Sequence, residues 1–284
     1  MEEKVLRSRS KLGISFKCKS GATKVYVFGD TVDELIDNLV KLKDGKFITS
    51  FIDDFPNLKD EQLKKLDKGI IACQKPRQIS SYAVKRKELS NTQDVEDALI
   101  SLCSKSSTYR PIVDFARTVV GANISKLEDF IIKSSDTTSI LEFAREVAGA
   151  NIERLQEAFL MCDISPLSLL TFLQIVPNAD PYKFKESIIC SDNLFTVIRF
   201  FSEFPNVVTA VEIDELQEKV IASQSAEYIY QFATEVRNAN IDKLRCAINS
   251  LNRPDKDSYL YFYFEYFWAK YGKHKKLHFF SKKK

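Results

Sequence analysis

A 28-residue repeat is the feature that most constrains the fold of this chain. The residues from Phe115 to Leu127 match those from Phe143 to Leu155 at this shift, and the pattern FAxxVxGANIxxL recurs with changes from Phe232 to Leu244. Weaker copies lie between these segments and upstream of them, so that about seven units can be argued. A fixed period of this length predicts an array of one supersecondary unit rather than a single compact core.

The first half of the unit has the pattern of a helix, which we call helix A. Phe143, Ala144 and Val147 are spaced so that they lie on one stripe of a helix. Gly149 then falls where a helix end needs positive φ, and the equivalent residues are of the two types that adopt this conformation most easily: Gly121, Asn178 and Asn238. We therefore expect helix A to end at this position.

The second half predicts another helix, helix B. Two residues after each turn stands a side chain that can accept the unpaired N–H groups of a helix start: Asn123, Asn151, Asp180 and Asn240. Apolar residues such as Ile152, Leu155 and Phe159 then follow at helical spacing. Each unit is thus predicted to be a helical hairpin.

A helical hairpin cannot bury its apolar stripe alone, whereas stacked hairpins form a continuous core. The sequence therefore predicts a mostly α fold, an α-solenoid over residues 47–269. Eight Gly and eight Pro in 284 residues agree with few turns and much helix. The chain resembles the short α-helical-repeat solenoids, the group that contains tetratricopeptide, HEAT and pumilio-type arrays. This resemblance implies a fold and no particular activity.

The two ends of the chain lack the repeat. Within residues 1–46, alternating apolar residues around Ile14 and Val25 predict two strands, and Thr31 with Glu34 predicts a capped helix. This ββα unit could cap the first repeat or present a sheet edge to a partner. At the other end, residues 259–268 are almost entirely aromatic and precede a basic tail at 270–284. The aromatic segment predicts either a last helix on the array or a base-stacking platform.

Charge is distributed unevenly along the chain. Residues 1–25 hold seven Lys and Arg against two Glu, and residues 270–284 hold seven Lys and no acid. Since the whole chain carries +3, the stretch 26–269 carries −9. An acidic body argues against continuous phosphate binding along the repeats.

No motif of a known catalytic or metal site occurs, so we expect neither an enzyme nor a bound cofactor or metal ion. A helical-repeat nucleic-acid glycosylase remains compatible with the fold. The six Cys are at least 28 residues apart, which excludes CxxC pairs, and no apolar run reaches about 18 residues. We expect buried, unpaired thiols, a cytoplasmic protein and no membrane partner.

Residues flanking the repeat Phe on helix A can line the ligand surface of a solenoid. They differ from repeat to repeat, as expected of a binding surface and also of simple solvent exposure. We predict a scaffold or stoichiometric inhibitor that binds a protein partner, with Arg117 and Arg145 as the best anchors. The predicted partner-binding residues are Asp114, Arg117, Glu142, Arg145, Gln174, Arg199 and Gln231.

The alternative is RNA or DNA binding through the basic ends, since lysines without neighbouring acids neutralise phosphates. The residues predicted for that role are Lys270, Lys273, Lys275, Lys276, Lys282, Lys283 and Lys284.

Overall fold

The structure of the protein is a computed structural model that describes residues 4–8, 11–17 and 24–251, with side chains from residue 27. The fold is mostly helical, as the sequence predicts. The chain divides into two compact units, Met1–Cys162 and Asp163–Lys284. Residues 18–23, which connect the two predicted strands, the aromatic segment 259–268 and the tail 270–284 lie outside the described residues.

The first unit begins with three antiparallel strands in the order β1-β2-β3, namely Lys4–Ser8, Lys11–Lys17 and Lys24–Gly29. The sequence predicted only two strands. The short first strand, KVLRS, was missed because it contains too few alternating residues to be recognised alone. Helix α1 (Val32–Lys41) packs against β3, and its start is capped by Thr31, whose hydroxyl accepts a hydrogen bond from the Glu34 N–H at 3.2 Å.

The helices of the first unit are α1 (Val32–Lys41), α2 (Gly45–Asp54), α3 (Asp60–Ala72), α4 (Pro76–Arg86), α5 (Thr92–Ser106), α6 (Arg110–Thr118), α7 (Ile124–Ser134), α8 (Thr137–Glu146) and α9 (Ile152–Leu160). Those of the second unit are α10 (Pro166–Ile175), α11 (Pro181–Ile189), α12 (Leu194–Glu203), α13 (Ala210–Ala222), α14 (Ala226–Glu235) and α15 (Ile241–Ser250). From α2 onward, the even-numbered helices are helices A and the odd-numbered ones are helices B.

The predicted boundary between helix A and helix B is confirmed. Gly121, Gly149, Asn178 and Asn238 have φ of 77°, 81°, 62° and 63°. The predicted N-caps are also confirmed; Asn151, for example, accepts a hydrogen bond from the Arg154 N–H at 3.2 Å through its side-chain oxygen. The same role is taken by Asn123, Asp180 and Asn240.

Successive helices A pack side by side within each unit. In the first unit α4 packs on α6 and α6 on α8, and in the second α10 packs on α12 and α12 on α14. The repeat aromatic lies between them and has no exposed surface at Tyr82, Phe115, Phe143, Phe172, Phe200 and Phe232. The following residue is often Ala, as at Ala116 and Ala144, which lets neighbouring helices approach closely.

A buried polar side chain on helix B connects one repeat to the next. Glu96 accepts a hydrogen bond from the Asn123 N–H at 2.9 Å, and Gln217 accepts one from the Asn240 N–H at 2.7 Å. The cap N–H groups of Asn123 and Asn240 are thereby satisfied by the preceding repeat. This position was not recognised from the sequence, because its residue type changes along the chain.

The prediction that the cysteines are buried is wrong for part of the chain. Cys73 and Cys103 are buried, Cys162 is half-buried, and Cys190 and Cys246 are exposed. Cys190 occupies the C-cap position of α11. The five described cysteines are all free thiols.

Candidate functional site

The outer surface of the helices A, which we call the helix A face, consists of the residues one before and two and three after each repeat aromatic. Burial of Phe115 and Phe143 fixes the rotation of α6 and α8 about their axes. Asp114 and Arg117 on α6, and Glu142, Arg145 and Glu146 on α8, therefore stand on the outer side of the pair. The repeat thus places charged side chains of adjacent helices beside each other.

Three arginines surround Glu146, whose side chain is only 14% exposed. Arg110 donates to its two carboxylate oxygens at 3.3 and 3.0 Å, and Arg117 donates to Oε2 at 2.7 Å. Arg145 donates to Oε1. Two of these arginines belong to the preceding repeat, so Glu146 ties α6 to α8.

Two further carboxylates complete this group, which we call the Glu146 network. Asp114 accepts hydrogen bonds from Arg110 Nε at 3.1 Å and from Arg117 at 3.2 Å. Glu142 pairs with Arg110 at 2.9 Å. Three guanidinium groups thus face three carboxylates, and the network has no formal net charge.

The network shifts the pKa values of Glu146 and Arg110. Burial alone would raise the pKa of Glu146, but hydrogen bonds from Arg145 and Arg110 outweigh it and lower that pKa below its ordinary value. Hydrogen bonds to Glu142 and Glu146 raise the pKa of Arg110. Both shifts favour the charged forms of Glu146 and Arg110, and so favour the ion pair between them.

The second unit carries a smaller version of this arrangement. The amide of Gln174 on α10 donates to both carboxylate oxygens of Glu203 on α12, each at 2.9 Å. Arg199 donates to Glu203 at 2.8 Å, and its guanidinium carbon lies 5.9 Å from the centre of the Phe195 ring. Glu203 therefore joins two of the predicted residues. Gln231 on α14 instead donates within its own helix, to Glu235 at 3.3 Å.

One register explains these contacts. The residue two after the repeat aromatic pairs with the residue three after it in the next repeat, as in Asp53 with Lys85, Arg117 with Glu146 and Gln174 with Glu203. Glu146 and Glu203 were not predicted from the sequence, because only the positions one before and two after the aromatic were compared. The signal that could have found them is the Glu that stands three residues after the repeat aromatic in both repeats.

The structure thus brings Asp114, Arg117, Glu142 and Arg145 into one network and places Gln174 with Arg199 in another. It leaves Gln231 apart from both within its own helix. The seven lysines predicted for nucleic-acid binding lie outside the described residues.

Among residues 27–251, no group of three His, Cys, Asp or Glu side chains could hold a metal ion. No helix in the described part of the chain is both long and apolar enough to cross a bilayer. The candidate site consists of the charged and polar rows of the helix A face.

Comparison with known proteins adds no further constraint, because no protein-family model, curated protein or solved structure matches this chain.

Proposed function

We propose that the hairpins of each unit stack as an α-solenoid and that the helix A face of the first unit binds a protein partner. The protein would act by occupancy, as a scaffold or a stoichiometric inhibitor, and not by catalysis. The partner that suits this surface offers carboxylate or aromatic side chains, since both groups complement guanidinium groups.

The observation that carries this proposal is the placement of Arg117 and Arg145 around Glu146. Both side chains are 43% exposed, although each is fixed by a hydrogen bond to this mostly buried carboxylate. An arginine that is already ordered loses less conformational entropy when it binds. The network therefore holds two guanidinium groups from consecutive repeats ready for a partner.

Arg145 has the larger capacity for a further contact. A guanidinium group has five N–H donors, and the hydrogen bond of Arg145 among the described residues goes to Glu146. A partner carboxylate can accept two of the remaining donors in the bidentate geometry that arginine favours. Arg117 is used more fully, because it also donates to Asp114.

The same network disfavours a nucleic-acid ligand at this surface. Its three carboxylates neutralise its three arginines, so a phosphate backbone would meet no excess of positive charge. The stretch 26–269 is acidic as a whole, at −9. The experiment below would also detect nucleic-acid binding through the basic ends.

The experiment is cross-linked capture of the tagged protein from the cells in which it occurs, quantified by mass spectrometry. Three forms are compared: the wild type, the double variant Arg117→Ala/Arg145→Ala, and the control Lys105→Ala/Lys133→Ala. The control removes two exposed cations from consecutive helices B and changes the net charge equally. Each capture is repeated after nuclease treatment.

The proposal expects a nuclease-resistant protein that is enriched by the wild type and the control and lost with the double variant. Equal capture by all three forms would remove the helix A face as the site. Capture that nuclease abolishes would instead support the basic ends.

A further inference from the structure

The last described repeat differs from the others at one apolar position of helix B. The position is four residues after the buried anchor residue of the helix and is occupied by Ile70, Leu99, Ile131, Phe159, Ile188, Val220 and Ile248. The first six side chains are at most 2% exposed. Ile248, on α15, is only half-buried.

The difference follows from the place of α15 in the array. An inner helix B is covered by the helix B of the next repeat, as α7 is by α9 and α13 is by α15. Among the described residues no helix follows α15. Ile248 and Leu251 are two half-buried apolar residues at the end of α15, and we call the surface that they expose the α15 face.

In the first unit, by contrast, the first helix B is covered. Helix α1 packs on α3, and its Leu35, Ile36 and Leu39 have no exposed surface. Helical-repeat arrays need both terminal repeats covered, because an open end exposes the continuous core to water. Among the described residues, the α15 face lacks the kind of cover that α1 gives to α3.

We propose that the α15 face is a docking surface for residues 259–268 of the same chain. Nine of these ten residues are aromatic or Leu, and Glu265 is the only charged one. The segment thus has the apolar side chains that the face requires. The proposal concerns the end of the array and stands independently of the partner-binding site on α6 and α8.

The connection between face and segment is long enough. Seven residues separate Leu251 from Tyr259, whereas four residues link α11 to α12 between consecutive repeats. A tether of this length keeps the segment at a high local concentration beside the face. An attached segment therefore competes well against a second copy or a foreign protein.

Tryptophan fluorescence can test the proposal, because Trp268 is the only Trp of the chain and lies in the proposed segment. The experiment records the emission wavelength of Trp268 and its quenching by acrylamide in the full-length protein. The variant is Ile248→Asp, which places a charge on the α15 face. The control is Asn249→Asp, which adds the same charge at an exposed position of the same helix.

The expected result is a blue-shifted, weakly quenched Trp268 in the wild type and in the control, with the same values on hundredfold dilution. Ile248→Asp should shift the emission to the red and increase quenching, while circular dichroism shows retained helix. If this variant loses helix, Ile248→Ser replaces it and is expected to cause the same shift.

Three results would overturn the proposal. A wild-type emission typical of a solvated indole would show that the segment is not covered. An emission unchanged by the substitution at Ile248 would show that it is covered elsewhere. A red shift on dilution of the wild type would assign the α15 face to a second copy of the chain.

Discussion

Glu128 and Asn151 join two consecutive repeats through one hydrogen bond, in which the buried Glu128 carboxylate accepts from the Asn151 N–H at 2.7 Å. The Arg154 guanidinium donates to the other oxygen of Glu128 at 2.9 Å. The Asn151 N–H at the start of α9 thus has its hydrogen-bond acceptor on α7. Stability of the array is therefore coupled between neighbouring repeats.

We predict that Glu128→Ala lowers the free energy of unfolding by about 2 kcal/mol, because it leaves the part-buried Asn151 N–H and the Arg154 guanidinium without their acceptor. Glu128→Gln should cost about 1 kcal/mol, since an amide oxygen still accepts at the equivalent Gln217. Urea denaturation measures both. The half-exposed Asp129→Ala serves as the control, and a loss there as large as in Glu128→Ala would contradict this account.

The positions of Asn151 and Phe143 in the repeat predict two further changes in the free energy of unfolding. Asn151→Ala should cost about 1 kcal/mol as a lost helix cap. Phe143→Ala should cost about 3–5 kcal/mol, because its ring has no exposed surface and its removal leaves a cavity in the core. Small and similar losses at both positions in urea denaturation would contradict the register of the repeat.

The lowered pKa of Glu146 predicts that its contribution to stability depends on pH. Its pKa is lower in the folded state than in the unfolded chain, so it stabilises the fold when ionised, and this stabilisation is lost as the pH falls through the folded pKa. The difference in unfolding free energy between the wild type and Glu146→Gln should therefore be full at neutral pH and shrink below about pH 5. A difference that stays constant from neutral to acid pH would show that Glu146 acts by packing alone.

Burial predicts which thiols react. Desolvation raises the pKa of Cys103 to about 12, so its thiolate is scarce at neutral pH, whereas Cys190 and Cys246 are exposed. A short alkylation of the native protein, mapped by mass spectrometry, should label Cys190 and Cys246 before Cys73 and Cys103. Labelling of Cys103 as fast as of Cys190 would mean that the helices around α5 open readily.

The sequence predicted those parts of the fold that depend on local chemistry. Gly149 and Asn151 mark a turn and a helix start by their own backbone and side-chain preferences, so they were recognised directly. The strand Lys4–Ser8 was not, because its pairing with Lys11–Lys17 is a contact between segments that its own short pattern does not indicate.

The candidate site was predicted only in part for a similar reason. Arg117 and Arg145 were selected as exposed residues of the repeat, but their common partner Glu146 depends on how closely α6 and α8 pack. That distance is set by the small Ala116 and Ala144, which the sequence shows, and by the rotation of both helices, which it does not. Cytoplasmic location, the protein partner and the absence of catalysis remain predictions.

The affinity of the captured partner for purified protein tests the central claim most directly. Isothermal titration calorimetry compares the wild type, Arg117→Ala/Arg145→Ala and the control Lys105→Ala/Lys133→Ala. We predict that the double variant loses about 2 kcal/mol of binding free energy or more, roughly thirtyfold in Kd, while the control binds as the wild type does. Equal affinity of all three proteins would contradict the assignment of the helix A face as the binding site.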